Sequence, residues 1–256
     1  MKLTFLGTGT SHGIPVVTCN CAVCCSANPC DCRLRTSALL EDNDGHNLLF
    51  DIGPDFRQQM LRHKVGHIDA ILVTHAHRDH VAGIDDIRPF NYVQQQKMQV
   101  YLNSLAQSIL QRDYHYIFGP HDYPGLPEAD LHVVEPYVAF EAAGNKVMPI
   151  ALMHKDMPVL GYRIGGVAYI TDASFIPEQS MEHLHGLKVL VINALRKEKH
   201  WSHFCLDEAL SVIERLRPER AFITHISHEM GLHADVQHTL PHNVFLAHDN
   251  LTVKID

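Results

Sequence analysis

The sequence contains no apolar run of about 20 residues, the length that a membrane-spanning helix requires. Residues 1–7 lead straight into Gly, Thr and Ser without the apolar core of a secretory signal, so we expect a cytoplasmic protein. Positive charge is scarce, with 21 Lys and Arg against 29 Asp and Glu and a formal net charge of −8. A protein that coats nucleic acid or an anionic membrane by bulk charge is therefore disfavoured.

Low-complexity tracts, tandem repeats and linkers rich in Gly or Ser are also missing. A chain of 256 residues that is 46% hydrophobic and 20% charged suits one globular domain over residues 1–256. Short β-branched and aromatic runs alternate with helical patterns such as Leu206–Arg217, whose apolar residues share one helix face. This alternation predicts an α/β fold in which helices cover the sheets.

Three further segments carry predictions about local structure. The patterns at Ile84–Gln96 and Leu105–Ile117 each predict one helix. The stretch Phe118–Asp130 holds three Pro and two Gly, which predicts a surface loop.

Histidine and cysteine are the residues present in excess. There are 21 His, as many as Lys and Arg together, and six of the seven Cys fall within residues 19–32. Both residue types are ligands for zinc and similar metals. Without an export signal, clustered cysteines point to metal binding before disulfides. We therefore expect a Cys-rich metal-binding loop at 19–32.

Four apolar runs each end in a potential metal ligand. The ligands that follow these runs are His75, His154, Asp172 and His225. Strands that end in this way can direct several ligands from a rigid sheet into one site.

The first of these runs continues as His75-Ala76-His77-Arg78-Asp79-His80. If this segment is an irregular loop, His75 and His77 can face one ion while Asp79 and His80 turn toward a second. His154 then completes three imidazoles for the first ion.

The second ion would gain His225, and Asp172 can bridge the two ions. Imidazole and carboxylate ligands suit Zn or Mn, with Fe and Ni also tolerated, and leave open positions for water. Such an ion pair can generate a hydroxide near neutral pH.

The His75-x-His77-x-Asp79-His80 motif, with the later His, Asp and His, resembles the metallo-β-lactamase superfamily. The opening Phe5–Gly9 and the later Thr224–His228 resemble its phosphodiesterase branch, which includes tRNase Z and a phosphoribosyl cyclic phosphodiesterase. The resemblance implies a four-layered αβ/βα sandwich with two metals at one edge. It assigns the same seven ligands by position, and dimers are common in that branch.

The resemblance also implies a structural zinc in the cysteine loop. Its ligands would be Cys19, Cys21, Cys24 and His228. A cluster of free thiols is the alternative. Cys25, Cys30 and Cys32 exceed the expected pattern and have no assigned role, and Cys205 is expected in the core.

Protonation of the leaving oxygen needs a proton donor, and His is the usual one near neutral pH. The resembled branch carries a His in the loop before the helix at Leu206. His203 is the better positional match and His200 the reserve. Asp79 is a candidate general base toward the attacking water, although a carboxylate that binds a metal rarely also accepts a proton.

Two features have open interpretations. Backbone N–H groups of the loop Gly7–Gly13 could cradle a phosphate, or the glycines could only permit a tight turn. Arg33 and Arg35 are equally candidates for phosphate contacts and for surface charges.

The predicted function is hydrolysis of a small phosphodiester, with a cyclic phosphate as the first candidate. A tRNase needs a basic arm, but residues 91–130 contain two basic and four acidic residues, so a nucleic acid partner is disfavoured. The alternatives are a tRNase Z-like nuclease, a thioesterase and a non-enzymatic metal-binding or metal-sensing protein.

Overall fold

The computed structural model describes residues 1–120, 123 and 125–256. These residues form fourteen β-strands and eight α-helices. The strands are β1 (Lys2–Gly7), β2 (Ser37–Glu41), β3 (Asn47–Phe50), β4 (Ala70–Leu72), β5 (Met98–Leu102), β6 (Ala129–Val133), β7 (Phe140–Ala142), β8 (Asn145–His154), β9 (Met157–Ile164), β10 (Val167–Tyr169), β11 (Val189–Asn193), β12 (Arg220–Thr224), β13 (Val244–Leu246) and β14 (Thr252–Lys254). The helices are α1 (Phe56–His63), α2 (Arg78–Val81), α3 (Arg88–Gln94), α4 (Ser104–Asp113), α5 (His115–Phe118), α6 (Glu178–Glu182), α7 (Leu206–Leu216) and α8 (His233–Thr239).

The strands belong to two mixed seven-stranded sheets. The first has the order β14-β1-β2-β3-β4-β5-β6 and the second the order β13-β12-β11-β10-β9-β8-β7. Strands β3 to β6 run parallel in the first sheet, and β10 to β13 run parallel in the second. The carboxyl ends of parallel strands share one edge of a sheet, where a site can be assembled.

One apolar core lies between the sheets and two others lie beneath helices. Phe50 of the first sheet stacks on Tyr169 of the second with ring centroids 4.5 Å apart. Outside the second sheet, α7 buries Leu206, Ala209 and Ile213 against strand residues, while α1, α3 and α4 cover the first sheet. Helices, sheet, sheet and helices therefore form four layers, which confirms the predicted αβ/βα sandwich.

Three local predictions need correction. The segment Ile84–Gln96 is a 3₁₀ turn at Ile84–Ile87 followed by α3, and Leu105–Ile117 is divided between α4 and α5. The predicted loop Phe118–Asp130 ends early because β6 begins at Ala129 and pairs with β5. Residues 121, 122 and 124 of that loop lie outside the described residues.

The helices of the described residues are short. The longest, α7, has 11 residues, and none is both long and apolar enough to cross a bilayer.

Candidate metal centre

Three chain segments leave their strands through residues in the left-handed conformation. Asp51 follows β3, Asp172 comes shortly after β10, and His225 directly follows β12, with φ values of 58°, 55° and 55°. This conformation is uncommon outside glycine and clusters at functional sites. Each turn directs a buried polar side chain toward the edge between the two sheets.

The predicted loop 75–80 is partly helical, which corrects the irregular loop expected from the sequence. Residues 75–77 follow β4 as extended chain, and α2 begins at Arg78. The α2 turn lies against Gly53, where an added Cβ would meet the Asp79 carbonyl oxygen at 2.1 Å. Glycine at this position therefore permits the close approach that places Asp79 and His80 in the site.

Asp172 lies between two groups of imidazoles and divides its oxygens between them. Its Oδ1 is 3.3 Å from Nε2 of His80 and 3.2 Å from Nε2 of His225. Its Oδ2 is 3.7 Å from Nε2 of His75 and 3.1 Å from Nε2 of His203. This is the arrangement that the sequence predicts for a bridging carboxylate.

The ligand atoms fall into overlapping groups whose members all lie within 4.8 Å of one another. One group is Asp79, His80, Asp172 and His225, and the second is His75, His77 and Asp172. Both match the predicted division into two ion sites.

His154 lies next to the His75 group. Its ligand atom groups with Asp172 and His203, although its ring lies 5.1 Å from the His77 ring. Nδ1 of His154 donates to the Ser202 carbonyl oxygen at 2.7 Å, which leaves Nε2 for a ligand. The structure therefore brings His154 to the first ion's side of Asp172 but does not group it with His75.

Unsatisfied nitrogens test whether metal ions fit these groups. Among the described residues, Nε2 of His75 and Nε2 of His80 are buried without a hydrogen-bond partner. A buried polar atom without a partner costs about 1–3 kcal/mol. A divalent ion would take up both lone pairs, so the residues present fit a metal.

The charges of the site also favour a bound cation. Burial opposes ionisation of Asp172, but His225 and His80 outweigh burial and hold its pKa well below the ordinary value. Burial also disfavours a charged His80, yet Asp172, Asp79 and Asp51 raise its pKa well above the ordinary value, so without a metal this ring carries the positive charge that a bound cation would replace. Burial lowers the pKa of His75 well below its ordinary value, which favours the neutral imidazole that a metal needs. Three carboxylates thus converge where a cation is required.

Asp51 supports these ligands, and the sequence interpretation missed it. Its Oδ2 accepts a 2.7 Å hydrogen bond from Nδ1 of His80, and its Oδ1 accepts from the Thr74 backbone N–H at 2.8 Å. A carboxylate behind a ligating His fixes the ring's tautomer and orientation. The signal was present, because Asp51 follows an apolar strand just as Asp172 does.

Substitution of Asp51 tests this supporting role. We expect Asp51→Asn to weaken metal binding at the site by about 10–100-fold, since the hydrogen bond that orients His80 loses its charge. Metal affinity is measured by competition with a chelator. Asp130→Asn, which changes an exposed carboxylate paired with Lys97, is the control. Unchanged affinity in Asp51→Asn would contradict the role.

The structure separates the two candidates for the acid. Nε2 of His203 lies 3.1 Å from Asp172 Oδ2, and its side chain keeps 11% of its surface exposed. His200 lies behind it, with Nδ1 atoms of the two rings 3.3 Å apart. His203 is therefore the one of the pair that reaches both the ligands and solvent.

The predicted cysteine site is assembled at a separate place. Nδ1 of His228 lies 3.3 Å from Sγ of Cys19, 3.3 Å from Sγ of Cys21 and 3.6 Å from Sγ of Cys24. Bonds of about 2.0–2.3 Å to one zinc would place four ligands within such separations. His225 and His228 thus face different clusters, as the sequence predicts.

Hydrogen bonds prepare one of these thiols for a metal. The Cys24 backbone N–H and the His228 ring lower the pKa of Cys21 to about 6, so Cys21 holds thiolate near neutral pH. Burial raises the pKa of Cys24 to about 11, and the neighbouring Cys21 thiolate raises it in the same direction. The donor set fits a zinc ion.

Removal of one of these thiols tests for a structural metal. We expect Cys21→Ala to lose one zinc per chain and to lower Tm by at least about 5 °C, since each kcal/mol moves Tm by about 2–4 °C at this size. Activity per folded molecule should change less. Cys25→Ala, an exposed cysteine outside the cluster, is the matched control. Normal stability in Cys21→Ala would count against a structural zinc.

The Gly7–Gly13 loop and the two arginines are largely structural. Backbone N–H groups of Gly9, Thr10 and Gly13 donate to carbonyl oxygens within the protein, which favours the tight-turn interpretation. Arg33 is buried and hydrogen-bonds to Thr8 Oγ1, so it is neither a surface charge nor a phosphate contact. Arg35 is one-third exposed and pairs with Asp55.

Comparison with known proteins decides the family. Residues 46–226 match the family described as beta-lactamase superfamily domain. The chain belongs to the beta-lactamase superfamily. A solved structure of a diphosphatase from the PhnP family is 40% identical, with a TM-score of 0.92 over 98% of this chain and 96% of that one. The predicted resemblance to the phosphodiesterase branch of the superfamily is thereby confirmed.

Two further relatives show that proteins with different names share this fold and sequence. The octanoyltransferase of Porphyromonas gingivalis is 37% identical over 257 residues, and this chain spans about half (52%) of its length. Zn²⁺-bound PqqB from Methylobacterium extorquens shares the fold, with a TM-score of 0.82 at 19% identity and 100% coverage of both chains. The fold and family agree with a metal-dependent hydrolase and imply divalent metal ions.

Proposed function

We propose that this chain hydrolyses small phosphodiesters, with a cyclic phosphate as the first candidate substrate. The observation that carries the proposal is Asp172, whose two oxygens face two different groups of imidazoles. Bound divalent ions at such a pair of sites polarise phosphoryl oxygens and supply a nucleophile at neutral pH. Zn and Mn are the proposed ions, with Fe or Ni as alternatives.

The role of the chain's own residues in this mechanism is to bind the metal ions and to orient them. His75, His77 and His154 would hold one ion together with Asp172, and Asp79, His80 and His225 would hold the other with the same carboxylate. Oδ2 of Asp79 lies 3.2 Å from Nε2 of His80 and 3.5 Å from Nε2 of His225. A metal ligand is therefore the preferred role of Asp79, and a general base is its second candidate role.

His203 is the proposed proton donor. Its Nε2 lies 3.1 Å from Asp172 Oδ2, and the side chain keeps 11% of its surface exposed. A proton on that nitrogen can pass to the oxygen that leaves phosphorus. Its Nδ1 lies 3.0 Å from Ser202 Oγ, a contact that holds the ring in place.

Charge supports a small substrate over an RNA. The net charge is −8, and residues 91–130, where the sequence interpretation expected a basic arm in a tRNase, are acidic overall. The relative from the PhnP family is described as a diphosphatase, so a diphosphate linkage is the second bond to test.

A thioesterase is the second candidate function. The observation that favours it is the relative named octanoyltransferase, an enzyme name that refers to an acyl group. Because this chain matches only 52% of that protein, the name can belong to the other half. An octanoyl thioester is therefore a necessary test substrate.

The experiment compares substrates on protein reloaded with Mn²⁺ or Zn²⁺. We expect cleavage of bis(p-nitrophenyl) phosphate and little cleavage of p-nitrophenyl phosphate. 2′,3′-Cyclic AMP, ADP-ribose and octanoyl-CoA then separate the cyclic phosphate, diphosphate and thioester interpretations. Cleavage of octanoyl-CoA alone would overturn the proposal in favour of a thioesterase. Full metal occupancy with no cleavage of any ester would favour a metal-sensing protein.

A further inference from the structure

The loop that carries His203 depends on side chains for its shape. This acid loop, residues 194–205, connects β11 to α7. The Leu195 N–H donates to the Phe204 carbonyl oxygen at 2.9 Å and closes the base of the loop. Across the described residues 197–203, no backbone group bonds to another backbone group. The side chains that bond to this stretch therefore decide its shape.

Arg196 supplies one of these bonds and is anchored elsewhere. Its Nη2 donates at 3.3 Å to the Lys199 carbonyl oxygen, which belongs to the peptide group directly before His200. Its Nη1 donates to Oε2 of Glu229 at 2.7 Å. The planar guanidinium presents its donors at fixed angles, so it can join two chain segments in one geometry.

The anchor at Glu229 belongs to a segment that serves both metal clusters. Glu229 lies in the 3₁₀ turn that begins at His228, and its backbone N–H donates to Ser227 Oγ at 3.2 Å. His228 belongs to the cysteine cluster, and His225, three residues earlier, belongs to the candidate metal centre. Arg196 therefore fixes the acid loop to the chain segment that carries a ligand of each cluster.

Stability alone does not account for the Arg196–Glu229 pair. The Glu229 side chain is 49% exposed, and ion pairs in contact with water contribute little to stability. Nε of Arg196 is buried without a hydrogen-bond partner in the part of the chain that the structure describes. Ordering a long side chain and leaving a buried donor unpaired both cost free energy. A role in placing the acid loop explains this arrangement.

We propose that Arg196 is a positioning residue that holds His203 where its Nε2 can protonate the leaving oxygen. Ser202 Oγ lies 3.2 Å from Nδ1 of His200 and 3.0 Å from Nδ1 of His203, so a shift of the peptide before His200 is passed on to the acid. A misplacement of about 1 Å can cost up to about 10²-fold in rate. This inference rests on the proposed function and adds a residue that acts through the loop rather than on the substrate.

The dependence of kcat on the leaving group tests this role. The substrates are methyl aryl phosphates that differ only in the leaving phenol, from p-nitrophenol to phenol. We expect Arg196→Ala to lower kcat about tenfold for the phenyl ester and by less than about twofold for the p-nitrophenyl ester, because only the more basic oxygen needs a proton. Metal content should stay unchanged. An equal loss for both esters, or the loss of an ion, would overturn the proposal.

A double variant separates positioning from a general loss of structure. Arg196→Ala combined with His203→Ala should be no slower than His203→Ala alone, since the acid through which Arg196 acts is already gone. Arg196→Lys keeps the charge opposite Glu229 but not the planar fork, and it should recover part of the loss. Losses that multiply in the double variant would contradict the proposal.

Hydrogen exchange gives a readout that needs no catalysis. The Phe204 N–H donates to the Ala173 carbonyl oxygen at 2.8 Å, and the Leu206 N–H donates to the Arg196 carbonyl oxygen at 2.9 Å. In the metal-loaded protein, we expect these two amides to exchange at least about threefold faster in Arg196→Ala than in the wild type. Unchanged exchange would overturn the proposal.

An arginine on α7 provides the matched control. Arg215→Ala removes an exposed arginine that pairs with Glu178, and it should change neither the exchange of the two amides nor kcat. If the wild type cleaves no ester, the proposed function fails, and the exchange of the two amides alone decides whether Arg196 holds the acid loop.

Discussion

His203→Ala is expected to lower kcat for a phosphodiester by about 10²–10⁴-fold while the metal content stays unchanged. The reason is geometric, since Nε2 of His203 lies 3.1 Å from Asp172 Oδ2 but outside the two main ligand groups. Loss of the donor removes the proton for the leaving oxygen and leaves the ions in place. The measurement combines steady-state kinetics with elemental analysis of the same sample.

His200→Ala is the matched control, because His200 lies in the same loop but behind His203. It should lower kcat far less than His203→Ala. A leaving group with a low pKa should also reduce the defect of His203→Ala, since such a group needs no proton. Loss of a metal ion from His203→Ala would show that His203 is a ligand, which its grouping with His154 and Asp172 also permits.

Asp172→Ala is expected to release both ions and to lower activity by more than about 10³-fold, because metal charge supplies several kcal/mol of transition-state stabilisation. No other described side chain has one oxygen near His80 and His225 and the other near His75 and His203. Elemental analysis should show the zinc of the cysteine cluster retained, because that cluster shares no residue with this one.

Asp130→Asn, which changes an exposed carboxylate paired with Lys97, serves as the control for Asp172→Ala. It should retain all metal and full activity. Retention of two active-site ions by Asp172→Ala would contradict a bridging role. Loss of only one ion would assign Asp172 to a single site.

The ligands at strand ends could be predicted because the signal is local. Tyr169-Ile170-Thr171-Asp172 and Phe222-Ile223-Thr224-His225 each contain both the apolar run that becomes buried and the ligand that follows it. The structure brings these ends together through parallel pairing of β10, β11 and β12. Their meeting in one site was predicted from strand ends that each present a ligand, and the sheet order supplies its physical reason.

Features that depend on tertiary contacts could not be predicted in the same way. Asp51 supports His80 only because β3 and β4 pair in parallel and bring it beside Thr74. Strands β6 and β7 were missed because their residues are mostly half-buried or exposed, so neither carries a buried apolar run. Helix α2 has only four residues, which is too short for a recognisable helical pattern, and it includes the predicted ligands Asp79 and His80.

The identity of the metals, the structural zinc, a homodimeric state and a cytoplasmic location stay predictions. The assignment of residues 1–256 to one domain is also a prediction, although both seven-stranded sheets contribute to the core between them.

The central claim is a two-metal phosphodiesterase, and a metal titration tests it most directly. Mild chelation should remove the active-site ions and leave zinc in the cysteine cluster. Mn²⁺ is then added while hydrolysis of bis(p-nitrophenyl) phosphate is followed. The account predicts that activity reaches its plateau at two Mn²⁺ per chain. Full activity at one ion per chain, or no diester cleavage at full occupancy, would contradict it.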